Sequence, residues 1–231
     1  GTTSLRGYTQ RSKFAYSDAD TITIGPGVYQ HSGTVDQLVY WDSTLSFDST
    51  DADTHWYYLY IDDSAIVVSG TNALTASELT SSTTAPSWSD AKHGWYNGLD
   101  RCIFAYYVAS GSIKGFIHDG GNYIGHISTS EDDFKQSGNL SDGSAYNADA
   151  DIPAFSTFGK FEVRMSDEDD DWLLVGEERY YLVYGVTTPR AYILDAHTTS
   201  AQKLYMLSVG SIGGTWTHWA RTLGWYFPAG M

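Results

Sequence analysis

Cysteine is nearly absent from the sequence. Cys102 stands alone, which excludes an intramolecular disulfide. It lies in the run Arg101-Cys102-Ile103-Phe104-Ala105-Tyr106-Tyr107-Val108, whose apolar, strand-like character makes it a small buried hydrophobe and not a nucleophile. Long hydrophobic runs are missing too. No segment approaches the length of a membrane span, and no signal-peptide pattern opens the chain, so membrane insertion is not expected. Basic residues are scarce, with 13 Lys and Arg against 28 Asp and Glu and a net charge of −15. That balance repels a phosphate backbone, and no basic stripe interleaves with aromatics along the sequence, so nucleic acid is excluded as a partner.

The signatures of catalysis are equally sparse. Gly-x-Ser-x-Gly, a phosphate loop and a dinucleotide fingerprint do not occur. Ser200-Ala201-Gln202-Lys203 fits Ser-x-x-Lys but lacks its companion elements. The seven histidines form neither His-x-His nor His-Glu-x-x-His, and His31, His55, His93 and His118 read as polar edges of sheets. A pair among 28 carboxylates could serve a glycosidase, but sequence spacing identifies none. No enzymatic activity and no cofactor are expected.

Two acidic clusters are candidate calcium ligands. Asp167, Asp169 and Asp171, with Glu178, fall at positions 1, 3, 5 and 12 of an EF-hand loop. Position 6, where that loop needs Gly, is Trp172, and the flanks alternate as strands. A solvated hairpin tip is the better reading. Asp48, Asp51 and Asp53 form the second cluster, and they too read as loop carboxylates facing water.

What the chain does have is aromatic residues, with 18 Tyr and 8 Trp. His55-Trp56-Tyr57-Tyr58-Leu59-Tyr60-Ile61 has no Gly or Pro and reads as a strand buried on both faces. Arg179-Tyr180-Tyr181-Leu182-Val183-Tyr184 repeats its vocabulary in the second half. Turn signals arrive about every ten residues, the rhythm of sandwiches and barrels. Ala65-Ile66-Val67-Val68-Ser69 reads as a further strand, and Thr75-Ala76-Ser77-Glu78 as either a capped helical turn or a loop. Trp172-Leu173-Leu174-Val175 is expected to pair with Phe158–Met165 across the acidic tip.

The expected fold is all-β, with two β-sandwich or jelly-roll-like domains of antiparallel strands joined by a polar acidic linker. Residues 1–13 form an extended lead-in, 14–128 the first domain, 129–152 the linker and 153–231 the second domain. The apolar tail Leu223-Gly224-Trp225-Tyr226-Phe227-Pro228 is expected to pack on the second body or on a partner. Trp88, Trp95, Tyr96, Tyr146 and Trp225 lie outside obvious strands and are candidate contacts to a glycan or a protein partner, since Tyr and Trp join a flat apolar body to a polar tip. The alternative for each is packing at a domain or subunit seam.

Several pieces of the first half occur in a suggestive order. They are Asp18-Ala19-Asp20-Thr21-Ile22-Thr23-Ile24-Gly25-Pro26-Gly27-Val28-Tyr29, Thr54-His55-Trp56-Tyr57-Tyr58-Leu59-Tyr60-Ile61, Ala85-Pro86-Ser87, Asp100-Arg101-Cys102-Ile103 and Ser110-Gly111-Ser112-Ile113-Lys114-Gly115-Phe116. This order resembles a module of tailed-bacteriophage virion proteins, especially tail-fibre and related surface proteins, over about residues 14–120. The resemblance implies a non-enzymatic structural or receptor-binding component on the virion surface. Its partners would be other virion proteins and a host-surface glycan, and it would form a homo-oligomer, with a trimer favoured. The absence of His-x-His departs from metal-stapled fibre tips. A capsid decoration or cement protein, and a carbohydrate-binding module or lectin outside any virion, are the alternatives.

Overall fold

The computed structural model describes residues 8–49, 53–130, 132–141, 145–166, 172–175, 181–184, 190–209 and 215–231. It is built almost wholly from antiparallel strands and divides into two units, Gly1–Ile124 with Phe227–Met231, and Gly125–Tyr226.

In the first unit the elements run β1 (Tyr8–Gln10), β2 (Phe14–Tyr16), β3 (Thr21–Ile24), β4 (Gly27–Ser32), β5 (Asp36–Trp41), β6 (Leu45–Asp48), β7 (His55–Ile61) and α1 (Asp63–Ser69). A 3-10 turn (Ala76–Glu78) follows, then β8 (Leu79–Ser82), β9 (Ser87–Ser89), β10 (Gly94–Asn97), β11 (Asp100–Ala109), β12 (Ser112–Ile113) and β13 (Phe116–His118). Three sheets result, in the orders β1-β4-β5, β2-β3-β6 and β8-β7-β11-β10-β9. The two aromatic-rich runs, β7 and β11, are direct neighbours at the centre of the largest sheet. Tyr57 to Ile61 are all buried, as a strand covered on both faces requires. Phe14 stacks on Phe104 with centroids 4.2 Å apart, and Phe227 packs on both from 6.3 and 6.2 Å.

The segment Ala65–Ser69, read from sequence as a strand, lies in α1. Asp62 caps its start by accepting from the N–H groups of Ser64 and Ala65, and Gly70 ends it at φ 63° with its N–H donating to the Ile66 carbonyl. Both ends are satisfied within a seven-residue helix, so capping outweighs the β preference of Ile66, Val67 and Val68. Thr75 and Glu78 form the capping box at the 3-10 turn.

The most demanding group in this unit is Arg101, which is fully buried on β11. Its Nη1 donates to the Tyr96 hydroxyl (3.2 Å) and its Nη2 to the Gly230 carbonyl (2.8 Å). The guanidinium lies 5.5 Å from the Tyr96 ring and 6.0 Å from the Tyr29 ring. Such a charge is tolerable only with acceptors and aromatic faces in place of water. Gly94 makes the room, because a Cβ there would sit 2.4 Å from Arg101 Nη1. Beside it, Arg11 donates to the Met231 carbonyl from Nε (3.1 Å) and to the Gly121 carbonyl from Nη1 (2.9 Å). Residues 227–231 are thereby fastened into this unit, and the tail that was expected to pack on the second body does so only as far as Tyr226.

The chain passes into the second unit along β14 (Tyr123–His126), followed by β15 (Lys135–Ser141), β16 (Ala145–Asp149), β17 (Phe158–Ser166), β18 (Trp172–Val175), β19 (Tyr181–Tyr184), β20 (Arg190–His197), β21 (Lys203–Val209) and β22 (Thr215–Tyr226). Residues 129–152, expected as a linker, hold β15 and β16, which pair with β22 and β21. Their polar composition reflects strands with one open face. In one sheet β22 lies between β15 and β17, and β17 pairs on to β20. The other runs β16-β21-β18-β19. Trp172–Val175 therefore pairs with β19 and β21, and not with Phe158–Met165 as expected. Phe161, Val163, Leu194, Ala196, Ala220 and Thr222 are buried on one face of the first sheet. Tyr146 of the second sheet reaches this face, edge-on to His218 at 4.8 Å, so the two sheets form a sandwich.

His218 is fully buried, and neither ring nitrogen has a hydrogen-bond partner among the described residues. Burial pushes its pKa down to about 4. Asp151 is pushed the other way, up to about 6, by burial and then by the nearby Asp149 carboxylate.

Two predictions follow from these packed positions. Gly94→Ala forces the Arg101 guanidinium aside and lowers stability by about 1–3 kcal/mol in thermal or denaturant unfolding. A depressed histidine pKa gives stability that is full above the unfolded value of 6.5 and is lost as pH falls toward 4, whereas Asp151 gains on the same descent. His218→Phe removes the histidine's loss, so the stability difference from wild type moves in the variant's favour between pH 7 and pH 4, as urea unfolding at each pH measures.

Candidate functional site

The first unit contains two polar constellations. One is sealed. His31 on β4 is fully buried and its Nε2 lies 2.9 Å from Asp63 Oδ1. Asp63 also accepts from the Thr34 N–H (2.7 Å) and the Thr34 hydroxyl (2.5 Å), while its own N–H donates to Asp100 Oδ1 (2.9 Å). Burial alone would raise the Asp63 pKa, but the hydrogen bonds from Thr34 and His31 outweigh it and hold the carboxyl below the usual carboxylate range. A Cβ on Gly33 would lie 1.9 Å from Asp63 Oδ1, so the loop after β4 closes directly over the pair. With both partners covered, the pair braces β4 against the start of α1.

The second constellation is open. β9 and β10 form a hairpin in which Trp88 stands directly opposite Trp95. Their rings are 5.9 Å apart at 65°, making a corner of two indoles. Trp88 is 39% exposed and Trp95 half-buried. Each indole N–H is already used: Trp88 Nε1 donates to Asp90 Oδ1 (2.7 Å), and Trp95 Nε1 to the Ala229 carbonyl (3.0 Å). With both N–H groups engaged, the rings are held in place and leave apolar surface and a polar rim for a ligand. Lys92, in the hairpin turn, donates to the Gly98 carbonyl (2.7 Å) and lies 4.6 Å over the Tyr96 ring. The floor is Gly230, at φ 82°, where a Cβ would fall 2.3 Å from Trp88 Cζ3. Such a corner can hold the C–H face of a sugar or an apolar side chain. It contains no arrangement of nucleophile and base.

Of the five aromatic residues singled out from sequence, the structure brings Trp88 and Trp95 together at this corner. Tyr96 follows Trp95 on β10, so strand alternation turns it inward. It is 3% exposed and its hydroxyl accepts from the Ser32 N–H (3.0 Å) as well as from Arg101. It is a core residue, not a surface contact. Trp225 is 1% exposed, edge-on to Phe155 at 5.4 Å, and is likewise core in the second unit. Tyr146 is half-buried there, and its hydroxyl donates to the Ser137 carbonyl (3.3 Å). Asp48 is exposed and accepts from the Thr21 hydroxyl (3.1 Å), and Asp53 is exposed. Asp51, Asp167, Asp169, Asp171 and Glu178 lie outside the described residues. Among the described residues no group of three or more His, Cys, Asp or Glu is placed to hold a metal ion. Sequence reading passed over Gly230 and Arg101, although Gly94 ahead of the Arg101 strand was a sign of close approach.

No protein-family model matches the chain, and no curated protein matches it. Among solved structures, that of infectious bursal disease virus Gx strain aligns over 94% of this chain and 69% of its own, at 12% identity and a TM-score of 0.17. At that score the two folds do not superpose as wholes, and the likeness carries no argument about function.

Gly230→Ala combines strained backbone with a clash against Trp88 and is expected to swing that indole outward. The measurement is tryptophan emission, which should shift to the red, with a stability loss of about 1–3 kcal/mol.

Proposed function

We propose that this chain is a non-catalytic attachment protein of a virus particle, a tail-fibre or receptor-binding component of a bacteriophage. The observation that carries the reading is the Trp88–Trp95 corner: two adjacent indoles, exposed in part, with their N–H groups tied back into the protein. Pre-ordered aromatic rings lose little side-chain freedom on binding, which is how shallow sites hold saccharides or protein loops. The virion setting rests on the ordered motifs of residues 14–120. The ligand is a host-surface saccharide. Affinity per site is modest, and attachment follows from several copies acting together in a homo-oligomer.

The test is glycan-array screening of the intact chain, with light scattering to establish its oligomeric state. Trp88→Ala and Trp95→Ala should each weaken saccharide binding roughly fivefold, about 1 kcal/mol per indole. A monomer that retains full binding in both variants sinks the proposal. Binding to purified capsids with no saccharide binding replaces it with the decoration role.

A further inference from the structure

The outer face of the β15, β22, β17 and β20 sheet carries a second feature, in the other unit. Cross-strand register places Lys135 opposite Arg221 and Arg221 opposite Glu162, and one step along it places Ser137, Trp219 and Arg164 in a row. These residues alternate with the buried Ala220 and Val163, so they share the face turned away from the sandwich core. Lys135 Nζ is 5.6 Å from the centre of the Trp219 ring, Arg164 Cζ 5.9 Å and Arg221 Cζ 5.5 Å. Three cations thus surround one indole in a chain that has only 13 basic residues and a net charge of −15.

Two carboxylates answer them. Asp132 lies 2.9 Å from Lys135 and Glu162 lies 3.4 Å from Arg221. Among the described residues no carboxylate pairs with Arg164, which leaves its guanidinium fork open. Like charges gathered around one ring repel each other, and an added anion relieves that repulsion.

We propose that this face binds a carboxylate-bearing saccharide. The Arg164 fork donates two hydrogen bonds to the carboxylate, with Lys135 on the far side of Trp219 and the indole against the C–H surface of the sugar. Lys135 and Arg164 sit on strands two spacings apart, about 10 Å. A rigid ring that bears its carboxylate directly fits between them with little loss of freedom, whereas an acidic peptide must immobilise flexible stems. The site is separate from the Trp88–Trp95 corner and does not depend on it.

The experiment titrates the intact chain with a galacturonate hexamer at low salt, by calorimetry and by the shift of the Trp219 indole N–H in NMR spectra. Inorganic phosphate, a neutral glucose hexamer and a poly-glutamate peptide are run alongside. The expected result is binding of the galacturonate hexamer alone, weakened about tenfold by Arg164→Gln and less by Arg164→Lys, which keeps the charge but loses the fork. Lys135→Gln, which keeps a polar side chain at this half-buried position, should weaken it severalfold with the Trp219 signal still present to show that the variant is folded. Absence of galacturonate binding overturns the proposal, as does unchanged affinity in Arg164→Gln. Equal binding of phosphate or poly-glutamate overturns the saccharide assignment, and loss of galacturonate binding in Trp88→Ala overturns its placement on this face.

Discussion

A guanidinium without water must be given acceptors and aromatic faces by the protein itself, and in the first unit that requirement fixes a large part of the structure. Arg101 draws the Tyr96 hydroxyl, the Gly230 carbonyl and the rings of Tyr29 and Tyr96 into one arrangement. Removing any of them would leave a buried charge short of a partner, which costs far more than the contact itself contributes. Such a group selects one packing over near alternatives. Aromatic pairs of the same unit, Phe14 on Phe104 and Tyr29 on Trp41, supply apolar gain that offsets its desolvation.

The same arrangement positions the exposed corner. Gly230 meets Arg101 through its carbonyl and Trp88 through its missing side chain, and Ala229 accepts the Trp95 indole N–H. Surface and core are therefore coupled through two adjacent residues. Trp95 and Tyr96 divide the work along one strand, the first facing out to the corner and the second facing in to the guanidinium.

Strand content was legible in the sequence because it is written locally, in aromatic and β-branched runs such as His55–Ile61 and Asp100–Ala109. Partner choice is not written locally. Trp172–Val175 has nothing in its own residues that selects β21 over β17, and the polar stretch 135–149 resembles a linker because its strands leave one face open. The helix α1 was hidden by three β-branched or apolar residues, although Asp62 and Gly70 mark its ends. Trp88 and Trp95 were visible as surface aromatics, but their facing each other needed the hairpin register. Trp225 and Tyr96 were misplaced because consecutive aromatic residues, Trp95-Tyr96 and Trp225-Tyr226-Phe227, do not reveal which of them the pleat turns inward. The cationic ring around Trp219 could not be read at all, since Lys135, Arg164 and Arg221 come from three strands and no linear stripe records them.

The first unit is discontinuous, made of residues up to Ile124 and then Phe227–Met231, with about a hundred residues of the second unit between. During vectorial synthesis the first stretch emerges with Arg101 and Arg11 made but the Gly230 and Met231 carbonyls that accept from them still untranslated. It must wait as an incomplete body, its buried cation short of the Gly230 acceptor, until Phe227–Met231 arrive. Closing that distant pairing raises the contact order of the unit and slows its final step. For that interval its exposed aromatic strands are the part of the chain most open to chaperones and to association with neighbouring copies.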